Sequence, residues 1–421
     1  MNLLFLTLLD FHSLNEHNIY TDLLREFQKN GHRVYVISPS ERRNGEKTRI
    51  IQEKNANILK LRIGNTQKTN LIEKGISTLT IEPIFINGIK KYFSNVKFDL
   101  VMYSTPPITL CKAIEYVKKR DRAKTYLLLK DIFPQNAVDL GMMKTTGIKG
   151  LLYQYFRNKE KKLYAISDHI GCMSPANVEY VLKHNPEIDP KRVEVCPNCI
   201  EVVDKSVDAE TRKQIRKKYQ IPDDKMVFVY GGNLGKPQGI DFLIDCLRSQ
   251  KNNQAAFFLI IGDGTEYGKL KAFTESEPQE NVRLMQRLPK EDYDTLVGAC
   301  DVGMIFLDHR FTIPNFPSRL LSYMQAKIPV LACTDPNTDI GKVITEGGFG
   351  WWCESDDAAK FVKIAKQVCN QDFTQMQKNE EKFLNENYTA EMVYKKVNLS
   401  FEKKESFGKS YTNNKACKDI K

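Results

Sequence analysis

Short apolar runs alternate with amphipathic stretches along almost the whole chain, and this alternation constrains the fold more tightly than any other feature. Such a pattern belongs to strands laid parallel through helical crossovers, so the expected class is α/β with doubly wound sheets. A first series of strands is expected at Leu3 to Leu8, Val34 to Ser38, Ile58 to Arg62, Leu100 to Tyr103, Tyr126 to Leu129, His169 to Met173 and Val193 to Cys196. Between the first two, Ile19, Leu23, Leu24 and Phe27 recur at helical spacing and stop at Gly31, a usual helix terminator. After the polar stretch Asp204 to Lys218, a second series is expected at Met226 to Tyr230, Phe257 to Ile261, Arg283 to Met285, Val302 to Phe306 and Val330 to Ala332. The pattern predicts two domains, 1–200 and 201–385, then a helix over 386–401 that crosses back to the first domain. A basic tail over 402–421, poor in large apolar groups, is expected to be disordered. Ligands of doubly wound sheets bind outside the carboxyl ends of the strands, which places the site in the cleft between the domains.

Composition narrows the class of protein. A chain of 421 residues is too long for one ordinary core, and 41% hydrophobic with 27% charged residues is the balance of a soluble globular protein. The run Met1 to Leu9 has no basic leader and reads as a buried first strand instead of a secretory signal. No later segment reaches about 18 uninterrupted apolar residues. The expected location is cytoplasmic, with peripheral contact at the inner face of the plasma membrane. Ten scattered cysteines are expected to be reduced thiols. Cys196-Pro197-Asn198-Cys199 has the spacing of a redox or zinc pair, but no second pair completes four ligands, and the segment ends a strand where a redox pair opens a helix. No metal or other cofactor is expected. The net charge of +11 suits any acidic partner, while zinc-finger spacing, aromatic RNA-binding signatures and basic zippers are missing, so nucleic acid is not expected.

Three segments of the second half carry candidate chemistry. The strand at Met226 runs into Gly231, Gly232, Asn233, Leu234, Gly235, Lys236, Pro237, Gln238 and Gly239, and then into a helical pattern. Glycines there let backbone N–H groups approach a phosphate at a helix N-terminus, or serve a merely tight turn. Neither a P-loop nor a dinucleotide fingerprint fits the spacing. Gly262, Asp263 and Gly264 repeat the strand-to-helix corner after the next strand. In the third segment Asn315 can cap a helix whose first turn holds Pro317, Ser318, Arg319 and Leu320, and Arg319 offers a fixed cationic fork suited to a diphosphate. In the first half, Asp131 stands at the end of a strand in Lys130-Asp131-Ile132-Phe133-Pro134-Gln135-Asn136, a place for a general base or for a turn-capping carboxylate.

In their order and separation these segments resemble the donor half of the GT-B glycosyltransferases, particularly the retaining family four. That family shows a glycine turn after the first C-domain strand, then Gly-Asp-Gly, then Pro-Ser-Lys/Arg-Leu ending in Tyr-Met, matched here through Tyr323-Met324. Gly31-His32-Arg33-Val34 and Pro197-Asn198 extend the resemblance across nearly the whole chain. The Asp131 segment is similar to Asp-(Leu/Ile)-(Trp/Phe/Tyr)-Pro-Glu in bacterial O-antigen and capsule transferases of the fucosamine-transferase-like group, with Gln135 in place of the Glu. The resemblance implies a GT-B fold: a Rossmann-like acceptor domain facing a Rossmann-like donor domain. It implies catalytic roles for Asp131 and Arg319. It also implies nucleotide and diphosphate contacts from Gly231, Gly232, Asn233, Lys236, Gln238, Gly262, Asp263, Gly264, Ser318, Arg319, Leu320 and Ser322.

Two glutamates with seven residues between them usually hold the donor sugar and ribose in that family; here Pro314 and Ser322 stand in their places. Asp308, His309 and Asn315 are expected to supply the sugar contacts instead. Lys327 replaces a customary glycine. The implied reaction is transfer of an N-acetylated hexosamine or deoxyhexosamine from a UDP-sugar to a polyprenyl-diphosphate-linked saccharide, with retention. A UDP-sugar epimerase of the same fold and a non-catalytic UDP-binding subunit are the alternatives. Leu71 to Phe93 and Ile148 to Leu163 combine apolar and basic residues as an anionic membrane surface requires, and as core faces with a solvated edge also do.

Overall fold

The computed structural model describes residues 1–66 and 71–409. The first sheet holds β1 (Asn2–Leu6), β2 (Arg33–Glu41), β3 (Arg49–Glu53), β4 (Ala56–Ile63), β5 (Leu100–Ser104), β6 (Lys124–Leu129), β7 (His169–Cys172) and β8 (Val193–Val195). Their order is β3-β4-β2-β1-β5-β6-β7-β8, and only the β3–β4 pair is antiparallel. The second sheet holds β9 (Met226–Asn233), β10 (Ala256–Asp263), β11 (Val282–Gln286), β12 (Val302–Phe306), β13 (Val330–Thr334) and β14 (Gly350–Glu354). It is wholly parallel, in the order β11-β10-β9-β12-β13-β14.

Helices cover both faces of each sheet, so the central strands are buried on both sides and read as unbroken apolar runs. All five residues of β5, β12 and β13 are buried. β3 and β14 are the two strands outside the expected series. Each forms a sheet edge, and their sequences, Arg-Ile-Ile-Gln-Glu and Gly-Trp-Trp-Cys-Glu, are only half-buried, so no continuous aliphatic run marks them.

The chain passes between domains twice, side by side. The Ile200 N–H donates to the Tyr388 carbonyl at 3.0 Å, and the Ala390 N–H donates to the Ile200 carbonyl at 2.9 Å. Helix Ala390–Lys409 then lies on the first domain, with Val393 and Val397 buried among Leu3, Phe5 and Phe27. The Tyr394 ring stands edge-on to Phe27 at 4.9 Å, and its hydroxyl meets His32 Nε2 at 3.0 Å. Of the tail expected over 402–421, residues to Lys409 continue this helix, and 410–421 lie outside the described residues.

A strap from the second domain enters the first. Between β12 and helix Arg319–Ala326, Leu307, Phe311 and Ile313 are buried within the apolar core of the N-terminal domain. Asp139 accepts from the Thr312 N–H at 2.8 Å and from its hydroxyl at 2.9 Å, while Asn177 Nδ2 donates to the Pro314 carbonyl at 2.8 Å. The loop that leads into the candidate donor helix is thereby fastened to the opposite wall of the cleft.

Candidate functional site

β9 does not end at Tyr230. It continues through Gly231 and Gly232 to Asn233 in register with β10, so Gly232 pairs with Gly262 and Asn233 with Asp263. Most glycines here answer to packing. A Cβ on Gly262 would lie 2.1 Å from the Gly232 carbonyl oxygen, one on Gly264 2.4 Å from the Leu234 carbonyl oxygen, and one on Gly231 2.0 Å from the Tyr293 hydroxyl. Gly232 differs, because its φ is +127° and the nearest group to the missing Cβ is the Arg319 guanidinium, with Nη2 at 3.1 Å. A bare strand end therefore faces a cation.

Arg319 opens helix Arg319–Ala326 and lays its guanidinium over the Tyr230 ring, Cζ 4.2 Å from the centroid. Its Nη1 is sealed from solvent without a hydrogen-bond partner, and among the described residues no carboxylate pairs with it. Buried donors are almost always satisfied, so an orphan on a rigid cationic fork marks a place for an anionic acceptor. The N–H groups that start a helix lack intrahelical acceptors and add to that preference. A cleft of about 310 Å³ opens here between the domains, lined by Gln238, Asn315, Ser318 and Arg319 on one side and by Ile19, Lys130 and Asn198 on the other. A second cavity of about 680 Å³ adjoins it, sharing Ile19 and Ser318 and reaching Ser322.

On the acceptor-side wall, the Thr105 hydroxyl oxygen accepts the N–H groups of Lys130 at 3.0 Å and Asp131 at 3.1 Å, fixing the end of β6. Successive residues at a strand end point to opposite sides. Lys130 takes the cleft side, and among the described residues its ammonium has only a long contact of 3.5 Å to the Cys196 carbonyl. Burial pushes its pKa below the usual lysine range. Asp131 turns to Asn136, whose Nδ2 donates to both carboxylate oxygens at 2.9 and 2.8 Å. Burial lifts its pKa to about 6, with the Ile132 N–H and Asn136 opposing the rise. Composition and spacing give Lys130 no role of its own; strand alternation is the signal that one of these two neighbours faces the cleft.

The remaining candidates divide between the cleft and the scaffold. Gln238 and Asn315 line the cleft with Ser318 and Arg319. Gln238 Oε1 also accepts from Asn233 Nδ2 at 2.9 Å and from the Gly235 N–H at 3.1 Å, so the Asn233–Gln238 pair braces the loop between them. Lys236 and Asp263 are exposed. Asp308 is held by its neighbour Arg310, which donates from Nε at 2.8 Å and Nη2 at 2.7 Å, while His309 is exposed beside it. Leu320 packs in the second domain's core, and its N–H donates to the Pro317 carbonyl at 3.3 Å. Ser322 faces the second cavity. Cys196 and Cys199 are buried, and burial raises both thiol pKa values.

Comparison with known proteins agrees with this geometry. The family model described as Glycosyltransferase Family 4 matches residues 18–203, and that described as Glycosyl transferases group 1 matches residues 211–389. The chain is 26% identical to the probable glycosyltransferase WbjE of Pseudomonas aeruginosa over 326 residues, 77% of this chain and 79% of that one. It is 24% identical over 256 residues, 59% of this chain and 60% of the relative, to WcaI of Escherichia coli, named for colanic acid biosynthesis. Among solved structures, Anabaena HepE in complex with UDP and glucose superposes with a TM-score of 0.67 at 12% identity, over 96% of this chain and 100% of that one. Two Rossmann-like sheets, a cleft between them and a family match on each side identify the chain as a GT-B glycosyltransferase of the group 1 and family 4 type.

Proposed function

We propose that the protein transfers an N-acetylated hexosamine or deoxyhexosamine from a UDP-sugar to a polyprenyl-diphosphate-linked saccharide, with retention, in cell-surface polysaccharide synthesis. The observation that carries the reading is Arg319, which lines the interdomain cleft with Nη2 beside the bare backbone of Gly232 and with a buried Nη1 that has no partner among the described residues. When the bond between the anomeric carbon and the diphosphate oxygen breaks, negative charge grows on that oxygen, and a fixed guanidinium stabilises it without reorganisation. The acceptor hydroxyl oxygen forms the new bond on the same face of the sugar. Its proton passes to the departing phosphate, while Asp131, ionised above about 6 and turned to Asn136, acts on the acceptor side from behind the cleft wall, by fixing the strand end that carries Lys130. Held by the strap, the two walls place donor and acceptor together, which removes much of the entropic cost of the encounter. HepE and WcaI support a nucleotide-sugar donor and a surface polysaccharide product, respectively.

Support for a membrane-borne acceptor comes from helix Gly147–Ile166. Leu151, Leu152 and Tyr155 are exposed there, at 71%, 53% and 44%, and Lys159 stands over the Tyr155 ring. Helix Leu71–Tyr92 instead directs Ile81, Phe85 and Ile89 into the core. Among the described residues no helix is long and apolar enough to cross a membrane. Incubating the purified protein with a panel of UDP-sugars, with and without a lipid-linked acceptor, tests the reading. UDP release that requires the acceptor supports transfer. Interconversion of the sugar without acceptor marks an epimerase, and UDP binding without turnover marks a non-catalytic subunit.

A further inference from the structure

The second cavity is continuous with the donor cleft, because Ile19 and Ser318 line both. A nucleotide whose diphosphate rests on Arg319 has this space for its nucleoside. Ribose presents two neighbouring hydroxyls, and a carboxylate that accepts from them is the strongest ordinary way to read a ribose. Helix Arg319–Ala326 brings no carboxylate to the cavity. It offers the Ser322 hydroxyl and Gln325, whose Nε2 already donates to the Glu201 carbonyl at 3.0 Å.

Five carboxylates line the cavity: those of Glu16, Asp22, Glu201, Glu291 and Asp294. Four are engaged. Glu16 Oε1 accepts the His12 N–H at 2.7 Å and the Ser13 N–H at 3.2 Å. Asp22 pairs with Arg25 at 2.5 Å and accepts the Glu201 N–H at 2.9 Å. Glu201 is held by Arg25 at 2.9 Å and Lys29 at 3.1 Å, and Asp294 by Lys205 and Lys290, both at 2.7 Å. The carboxylate of Glu291 has no ion pair or hydrogen bond among the described residues, and it stands exposed in the first turn of helix Lys290–Gly298. We propose that Glu291 is the ribose-reading residue of this protein, accepting from the vicinal hydroxyls of a nucleoside diphosphate from the helix next to the one that carries Ser322. The assignment rests on the nucleotide-sugar reading above.

An acidic residue in the first turn also favours its own helix through the dipole. The test therefore follows the ribose hydroxyls and does not rest on stability. Titration calorimetry on the full chain would compare UDP with 2′,3′-dideoxy-UDP. The wild type is expected to prefer UDP by roughly tenfold or more, the worth of a hydrogen bond to a charged group. Glu291→Gln, whose amide oxygen still accepts but without the charge, is expected to lose most of that preference, and adding Ser322→Glu is expected to restore part of it. A Glu291→Gln protein that keeps the full preference for UDP overturns the assignment, as does a wild type that shows none. A wild type that binds neither nucleotide fails one step earlier, at the nucleotide reading itself.

Discussion

Replacing Arg319 with Met keeps an unbranched side chain over Tyr230 and removes the charge, and two effects of opposite sign should follow. Without nucleotide, the sealed Nη1 lacks a partner, an arrangement that costs about 1–3 kcal/mol. Against this, the guanidinium gains roughly 0.5–2 kcal/mol from the face of Tyr230. The variant should thus lie between about 1 kcal/mol less stable and about 2.5 kcal/mol more stable than its parent, a shift from roughly 2–4 °C down to at most roughly 5–10 °C up in melting temperature for domains of this size. With UDP the sign reverses. Losing one charge-assisted bond worth about 1.5–3 kcal/mol lowers affinity roughly ten- to 150-fold. UDP at a hundred times the parent's Kd should stabilise the parent by about 2.7 kcal/mol and the variant far less. Scanning fluorimetry and calorimetry, with UMP as the control lacking the second phosphate, read both effects. A variant that melts several degrees below the parent yet binds UDP equally well would make Arg319 a structural stitch and refute its role as the diphosphate contact.

Removing the two hydrogen bonds that Asn136 Nδ2 donates to Asp131 with Asn136→Leu should raise the Asp131 pKa above about 6, and the acid limb of kcat/KM should move to higher pH with it. A limb that stays in place would show that another group titrates. Phe311→Ala should cost about 3–5 kcal/mol, because the ring is buried in the core of the opposite domain, and it should expose the strap 307–318 to limited proteolysis. Equal stability and equal protease resistance would count against the strap. Glu380 is fully buried with neither carboxylate oxygen partnered among the described residues, and burial pushes its pKa well above the ordinary value of 4.5. The folded state then keeps a proton that the unfolded chain releases, so above pH 4.5 stability falls as pH rises, by about 1.4 kcal/mol per unit, until the folded pKa is reached. Glu380→Gln abolishes that slope, so in urea unfolding its advantage over the parent should widen between pH 5 and 7.5; a constant gap would contradict this account.

The sheets were legible because their central strands are covered on both faces, a condition that writes itself as aliphatic runs such as those of β5, β12 and β13. β3 and β14 were not, because an edge strand needs only half its surface apolar. At the site, the glycines could be seen but not sorted. Only the register of β9 against β10 shows that Gly262 and Gly264 accommodate neighbouring backbone while Gly232 lies bare beneath Arg319. Lys130 and Asp131 posed a similar choice, since one step along a strand end reverses the side a residue faces. Asp308 carries a charge suited to a sugar contact, but Arg310 two residues on takes both its oxygens.

The strap was the least legible feature, because Phe311 and Ile313 belong by sequence to the donor half and by packing to the core of the other. Its consequence reaches the site. Arg319 begins its helix only a few residues beyond these anchors, and its guanidinium lies over Gly232 on the donor side while Lys130 faces the same cleft from the acceptor side. Opening the cleft would have to withdraw three buried apolar side chains, Leu307, Phe311 and Ile313, and break the bonds that Asp139 accepts and Asn177 donates. A diphosphate that satisfies Nη1 strengthens the same closed arrangement, because it binds where the strap already holds the cation. If Arg319 takes the diphosphate as proposed, donor binding and domain closure are coupled through this loop, and a change in the first domain at Asp139, which does not line the donor cleft, should weaken nucleotide affinity by loosening the position of Arg319.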